Sequence, residues 1–341
     1  MKLRDVPIEV ITLIYMVAYI PYMVITKQLS TTPAAVLGRP LTGLEMLPAS
    51  QILSGLMTFA FVWAVGWWRF AHHARIGPLT TARPTRWTFL SGLCTGLVLF
   101  TVPLSLTFEG VSIPFIQLLM RGDVLILAPL VDIFSGRKVR WYSWGALGLV
   151  AIGLFLTIRQ RGGLGLPPLA ILTVVLYTLG YFGRLAIMTR VSKDGNPATL
   201  KAYYVEEKMV GIPFAVLMLA LIPLLGIGAQ AQELQFGFIG VWTSDQIGVI
   251  AILSVLLFVV SVFSIIILLD PRENTFCVAL DRSAAIVAGV AASFVLAWLF
   301  GHPAPTGMEI IGAGLMVCAV LLLSFGPRLG AAKAKLHAAN V

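Results

Sequence analysis

The sequence predicts an all-α integral membrane protein of ten transmembrane helices in a 5+5 inverted repeat, with both termini in the cytoplasm. Three observations predict it. Hydrophobic side chains make up 58% of the 341 residues and charged ones 11%, with a mean hydropathy of +0.93; a soluble domain draws about a quarter of its residues from Asp, Glu, Lys and Arg. Ten apolar stretches each approach the roughly 20 residues needed to cross the hydrocarbon layer. The Lys and Arg residues alternate from loop to loop as a multi-pass topology demands.

The predicted spans run from Val6 to Thr26, Leu47 to Trp67, Thr88 to Thr107, Ser112 to Phe134, Trp141 to Ile158, Pro168 to Met188, Val210 to Gly226, Ile247 to Leu269, Asn274 to Phe300 and Met308 to Phe325. The first has only Lys2, Arg4 and Asp5 before it and no small-residue cleavage site, so it reads as a retained span rather than a signal peptide. Pro21, Pro103, Pro129 and Pro213 fall inside spans and mark kinks there. Two longer connections, residues 27–46 and 227–246, share one side; the second carries Phe236, Phe238, Ile239, Val241 and Trp242 and reads equally as a short interfacial helix or an ordered loop.

Of the 24 Lys and Arg, one side of this arrangement holds Lys2, Arg4, Arg69, Arg75, Arg83, Arg86, Arg137, Lys138, Arg140, Arg190, Lys193, Lys201, Arg272, Arg328, Lys333 and Lys335. The other holds only Lys27, Arg39, Arg159 and Arg161. The excess marks the cytoplasmic side. Arg121, Arg184, Lys208 and Arg282 fall within or at the edge of spans. The net charge of +9 is thus a matter of topology, not a phosphate footprint, and no nucleic-acid partner is expected.

Ten spans split into two sets of five, and because five is odd the second set crosses in the opposite sense. The predicted repeats are residues 1–160 and 161–341. Trp144-Gly145-Ala146-Leu147-Gly148 in the fifth span is echoed by Ile311-Gly312-Ala313-Gly314-Leu315 in the tenth, and each follows a long span ending in Phe134-Ser135-Gly136 or Leu299-Phe300-Gly301. Gly92 and Gly96 form a GxxxG, and Ala285, Gly289 and Ser293 a small-residue stripe; both read as helix packing, since helices in lipid associate by close backbone approach.

Cys94, Cys277 and Cys318 lie on separate spans without CxxC spacing or clustered His, and read as small packing residues. The sequence has no GxSxG, HExxH, P-loop or phosphate-cradling GxGxxG. No cofactor, no metal and no enzymatic activity are expected.

The fourth and fifth spans carry Leu119-Met120-Arg121-Gly122-Asp123-Val124-Leu125, then Phe134-Ser135-Gly136-Arg137-Lys138-Val139, then Trp144-Gly145 and Gly153-Leu154. This run resembles the drug/metabolite transporter superfamily, in particular the branch of nucleotide-sugar-transporter-like and chloroquine-resistance-transporter-like proteins. Leu280-Asp281-Arg282-Ser283 and Leu296-Ala297-Trp298 of the ninth span resemble the matching helix of the second half. The resemblance implies ten spans, an inverted repeat and secondary transport. Asp123 stands where that branch carries a small or hydroxyl residue, and Gly136-Arg137 where many members of the superfamily carry Gly-Glu, so no subfamily's substrate transfers.

A charge at bilayer depth costs about 2.5–3.5 kcal/mol even on the gentlest scale. Arg121 and Asp123 lie near the middle of the fourth span, about 200° apart around it, while Gln117 and Arg121 share a face. Asp281 and Arg282 lie roughly 10 Å into the ninth span. An inverted repeat brings the fourth and ninth spans together at the midplane, where such transporters hold substrate. Gln117, Arg121, Asp123, Asp281 and Arg282 are therefore the expected substrate-binding residues; the alternative is a buried ion-pair network locking the halves. Arg184, Glu206, Glu207 and Lys208 are expected at solvated helix ends, as is Glu9. Asp132 is expected to pair with Arg137 or Lys138, and His72 and His73 to lie in a basic loop.

The function expected is secondary active transport of a small polar or amphipathic metabolite by alternating access, with Asp123 or Asp281 as the titrating group if a proton is coupled. An exchanger of nucleotide-sugars or lipid-linked intermediates is the first rival, though phosphates demand more Arg and Lys than these nearly cancelling charges provide. A membrane-embedded lipid-modifying enzyme is the second. The partners expected are a small-molecule substrate and the lipid bilayer; the sequence allows a homodimer without requiring one. Short loops and the lack of an organelle address point to the bacterial inner membrane.

Overall fold

A computed structural model describes residues 7–76, 79–108, 110–120, 122, 141–160, 165–192, 196–226, 230–268, 270 and 274–339. The helices are α1 (Ile8–Thr31), α2 (Gly43–Ala64), α3 (Arg86–Ser105), α4 (113–120), α5 (Trp141–Gln160), α6 (Pro168–Ser192), α7 (Pro197–Leu224), α8 (Gln230–Phe238), α9 (Ile247–Leu268), α10 (Asn274–Phe300) and α11 (Gly307–Ala339). Among the described residues seven helices are long and apolar enough to cross a membrane, and two more apolar segments are shorter. The chain is an α-helical, multi-pass membrane protein. In a medium without water a helix pairs its backbone N–H and C=O groups internally, which is why apolar runs of this length take that form.

Local signals set the helix ends. Thr42 and Thr85 cap α2 and α3 with their hydroxyls, and Asn196 caps α7 with Pro197 in its first turn. Gly66 and Gly226 follow α2 and α7 in the left-handed region, φ 65° and 62°, which glycine enters at no steric cost. The Asn-Pro start places the beginning of α7 well before the expected Val210, because its first three turns are helical despite carrying Lys201, Glu206, Glu207 and Lys208. Similarly α1 continues past Thr26 to Thr31 and α11 past Phe325 to Ala339.

One feature departs from an all-α reading. The basic loop holds an antiparallel hairpin, β1 (His73–Ile76) and β2 (Leu79–Ala82), with His73 opposite Ala82 and Ile76 opposite Leu79. Ile76, Thr80 and Thr81 are β-branched and suit a strand. The connection after α7 is likewise structured, as α8 and a 3-10 turn at Gly240–Thr243.

The chain divides into two compact units, each drawing on both halves of the sequence. The first comprises residues 1–17, 112–165 and 263–341, the second residues 18–111 and 166–262. Within the second unit α3 lies between α6 and α7, and glycines make that closeness available. A Cβ on Gly92 would meet Val210 Cβ at 2.5 Å and the Glu207 carbonyl oxygen at 3.0 Å; one on Gly180 would lie 2.8 Å from the Cys94 carbonyl. The expected GxxxG is thus a packing device, with Gly211 reciprocating 3.0 Å from the Gly92 carbonyl. α8 rests on α2 where a Cβ on Gly237 would come within 2.6 Å of the Glu45 carbonyl.

Within the first unit α5 and α11 cross in the same manner. A Cβ on Gly153 would lie 3.2 Å from the Gly312 carbonyl oxygen, and one on Gly312 3.3 Å from that of Gly153. The apolar core beside this crossing contains Leu118, Val150, Ile286, Ala313 and Met316.

Candidate functional site

In the first unit, Asp281 and Arg282 sit in the second and third turns of α10 and are 1% and 2% exposed. Asp281 Oδ1 accepts a hydrogen bond from Ser264 Oγ of α9 at 2.8 Å, and Arg282 Nε lies 3.8 Å from Asp281 Oδ2. Two opposite charges and a hydroxyl are therefore gathered in an apolar bundle. Gln117 of α4 is also buried, 1% exposed, but its aliphatic part faces Gly289, where a Cβ would meet Gln117 Cγ at 3.3 Å. Gly289 is roughly 11 Å along α10 from the charged pair at 1.5 Å per residue. Gly122, the residue between Arg121 and Asp123, packs toward Met316, Leu154 and Val150. Arg121 and Asp123 themselves lie outside the described residues, as do Asp132, Arg137 and Lys138.

The second unit holds a charge cluster that overturns an expectation from the sequence. Arg184, Glu206, Glu207 and Lys208 are all buried, the two carboxylates completely, instead of occupying solvated helix ends. α7 begins well before Val210, so Lys208 stands eleven residues into it, about 17 Å along, and α6 runs past Met188 to Ser192, which places Arg184 deeper than expected. Glu207 Oε1 accepts from Arg184 Nε at 2.6 Å, Thr95 Oγ1 at 2.6 Å and Tyr203 Oη at 3.2 Å, and its Oε2 accepts from Arg184 Nη2 at 3.2 Å. Ser91 and Thr95 are one turn apart on α3 and reach α7 because Gly92 and Gly96 bring the backbones close. Small residues and charge burial are one device here.

Glu206, on the other side of α7, binds the flanks of the hairpin. Its Oε1 accepts from the His72 backbone N–H at 2.9 Å and lies 2.7 Å from His72 Nδ1; its Oε2 accepts from Thr85 N at 3.2 Å and Thr88 Oγ1 at 2.6 Å. His72 therefore anchors the hairpin to α7. Lys201 adds a cation over the Phe70 ring, 4.6 Å from its centroid, and Arg190 one over Trp87 at 4.7 Å.

Lys208 differs from its neighbours. It is 3% exposed and donates one hydrogen bond, to Ser261 Oγ at 3.3 Å, with the Tyr204 ring centroid 5.9 Å away. It lines a small cavity within this unit together with Gln51, Ser54, Thr58 and Ser261.

Two acidic residues, Glu45 and Glu309, cap helices. Thr42-Gly43-Leu44-Glu45 opens α2 and Thr306-Gly307-Met308-Glu309 opens α11, each a reciprocal box: Glu45 Oε2 accepts from Thr42 N and Glu309 Oε2 from Thr306 N, both at 2.9 Å. Thr42 Oγ1 donates in turn to Glu233 of α8 at 2.6 Å, and Ser112 Oγ donates to Glu309. Arg39 pairs with Glu45 at 2.6 Å, which holds the guanidinium above its usual range. The pattern Thr-x-x-Glu before an apolar run was the available signal. Lys27, expected in a loop, ends in a buried ammonium that donates to the carbonyls of Phe108 and Val111 at 2.9 and 3.0 Å.

Cys94, Cys277 and Cys318 are free thiols. No group of His, Cys, Asp or Glu suited to a metal occurs among the described residues.

No family model and no curated protein matches the sequence. A solved structure described only as "Crystal structure of protein" is similar over 94% of this chain and 96% of its own, with 13% identity and a TM-score of 0.49, too low to bear on function.

Proposed function

We propose that the chain is a secondary transporter of the drug/metabolite transporter type, carrying a small polar or amphipathic metabolite across its membrane by alternating access. In this reading it has ten spans in two inverted sets of five, residues 1–160 and 161–341, and both termini are cytoplasmic, in a bacterial inner membrane. With no nucleotide-hydrolysing motif in the sequence, uphill transport draws on an ion or exchange gradient.

The observation that carries the reading is the burial of charge inside apolar helices: Asp281 and Arg282 in one unit, Arg184, Glu207 and Lys208 in the other. Each costs at least about 2.5–3.5 kcal/mol at bilayer depth, and intramembrane ionisable groups are kept chiefly where a polar passenger or ion passes. One further feature supports the repeat: the fourth and fifth predicted spans share a unit with the ninth and tenth, which hold the same places in the second set of five. Asp281, held by Ser264 and Arg282, is the group proposed to take part in substrate or proton binding.

The test is thermal stabilisation of the purified protein by amino acids, cationic drugs and sugar nucleotides over a pH series. A ligand at 100 times its Kd stabilises by about 2.7 kcal/mol. The expected result is a stabilising metabolite whose effect is lost in Asp281→Asn. Stabilisation unchanged in that variant would overturn the site, and selective stabilisation by sugar nucleotides would favour the exchanger.

A further inference from the structure

In the second unit, two cations converge on one aromatic ring where α2 stops and α7 starts. Gly66 turns the chain off α2 in the left-handed region, and a 3-10 turn at Trp67–Phe70 follows. Trp67 packs edge-on to Phe61 at 5.5 Å and to Tyr204 of α7 at 5.6 Å, which fixes the turn against α7. Residues three apart eclipse in a 3-10 turn, so Trp67 and Phe70 share a side. Lys201, three residues before Tyr204 on α7, reaches both rings: its Nζ is 4.6 Å from the Phe70 centroid and 6.0 Å from that of Trp67. Arg69 Cζ lies 5.1 Å from the same Phe70 centroid.

Among the described residues no carboxylate meets this pair. Glu206 and Glu207, farther along α7, are buried and already held, the first by His72, Thr85 and Thr88 and the second by Arg184, Thr95 and Tyr203. The other charges at this end have the same sign: Arg190 lies over Trp87, and Arg83 and Arg86 are exposed. The face of a ring attracts a cation without neutralising it, and leaves the outward N–H groups to donate elsewhere. Two like charges on one ring repel, and an anion touching both removes that repulsion. Trp63 in the last turn of α2 and Trp68 beside Arg69 are 81% and 38% exposed, and tryptophans so placed mark the level of the lipid headgroups.

We infer that Arg69 and Lys201, gathered on the Phe70 ring without a counter-ion, hold the phosphate of an anionic phospholipid. A phosphodiester suits the pair, since a guanidinium donates two parallel N–H···O bonds to it and an ammonium meets it as a point charge. A zwitterionic headgroup brings its own ammonium into a field of the same sign and is disfavoured. The bilayer is the source because Trp63 and Trp68 set the pair at headgroup depth, with acyl chains beneath. The inference does not rest on the transport proposal.

The experiment is native mass spectrometry of the purified full chain in detergent, titrated with phosphatidylglycerol, with phosphatidylcholine, and with glycerol 3-phosphate as a soluble phosphate. The first phosphatidylglycerol is expected to bind more tightly than phosphatidylcholine, and glycerol 3-phosphate more weakly than either lipid. Arg69→Gln and Lys201→Gln are each expected to weaken the first phosphatidylglycerol about fivefold, and together to bring it to the level of phosphatidylcholine. The double variant Arg83→Gln with Arg86→Gln, which removes as much charge from the same end, is expected to leave that first affinity nearly unchanged. Equal affinities for the two lipids would overturn the site, as would an equal loss in the Arg83 and Arg86 variant or glycerol 3-phosphate binding as tightly as the lipid. Should the Arg69 and Lys201 double variant fail to fold, Arg69→Gln alone decides, because that side chain is exposed; unchanged phosphatidylglycerol affinity in it would likewise overturn the site.

Discussion

Glu207 is a counter-ion held by every donor in reach, and its removal is the sharpest test of the buried cluster. Glu207→Gln leaves Arg184 charged and buried without its partner, a loss of about 3–5 kcal/mol that a fall in melting temperature in detergent would register. The double variant Arg184→Met with Glu207→Gln is expected to recover much of that loss, because no charge is then stranded. At the entrance of α11, Thr306→Ala removes one arm of the cap on Glu309 and is expected to cost about 0.5–2 kcal/mol in the same measurement. The sequence made these residues visible as charges in unusual places but not as a cluster. Arg184, Thr95 and Glu207 come from three helices, and no spacing along the chain links them. The expectation of solvated ends for Glu207 and Lys208 fails because the Asn196-Pro197 cap, and not the onset of apolarity at Val210, marks the helix start.

Glycines show at the element scale what sequence alone leaves equivalent. Gly148 and Gly153 stand on the same helix, α5, yet a Cβ on the first meets nothing within 4 Å and one on the second meets the Gly312 carbonyl at 3.2 Å. Gly148→Ala is therefore expected to be neutral or to stabilise by up to about 1 kcal/mol through helix propensity. Gly153→Val, which forces the α5–α11 crossing apart, is expected to cost about 1–3 kcal/mol. Equal melting temperatures for the two variants would show that the crossing is not close. The apolar runs made most helix locations legible, because length and hydropathy decide them. The hairpin at His73–Ala82 was not, since it depends on Glu206 gathering His72 and Thr85, while α8 stood as one of two equal readings that the close approach of Gly237 to α2 decides.

On the scale of the whole molecule, apolar helices enclose charges in each of two units, and the units combine segments from both halves of the chain. Of the five residues expected to bind substrate, Asp281 and Arg282 form a buried pair and Gln117 is buried on α4, turned toward Gly289; Arg121 and Asp123 lie outside the described residues. The proposal that these charges serve a passenger is tested most directly by uptake of the best stabilising ligand into sealed proteoliposomes. Saturable uptake, accelerated by the same ligand on the opposite side and reduced about tenfold or more in Asp281→Asn at equal protein content, is the predicted result. Uptake no faster than in protein-free vesicles, or equal in the variant, would contradict it.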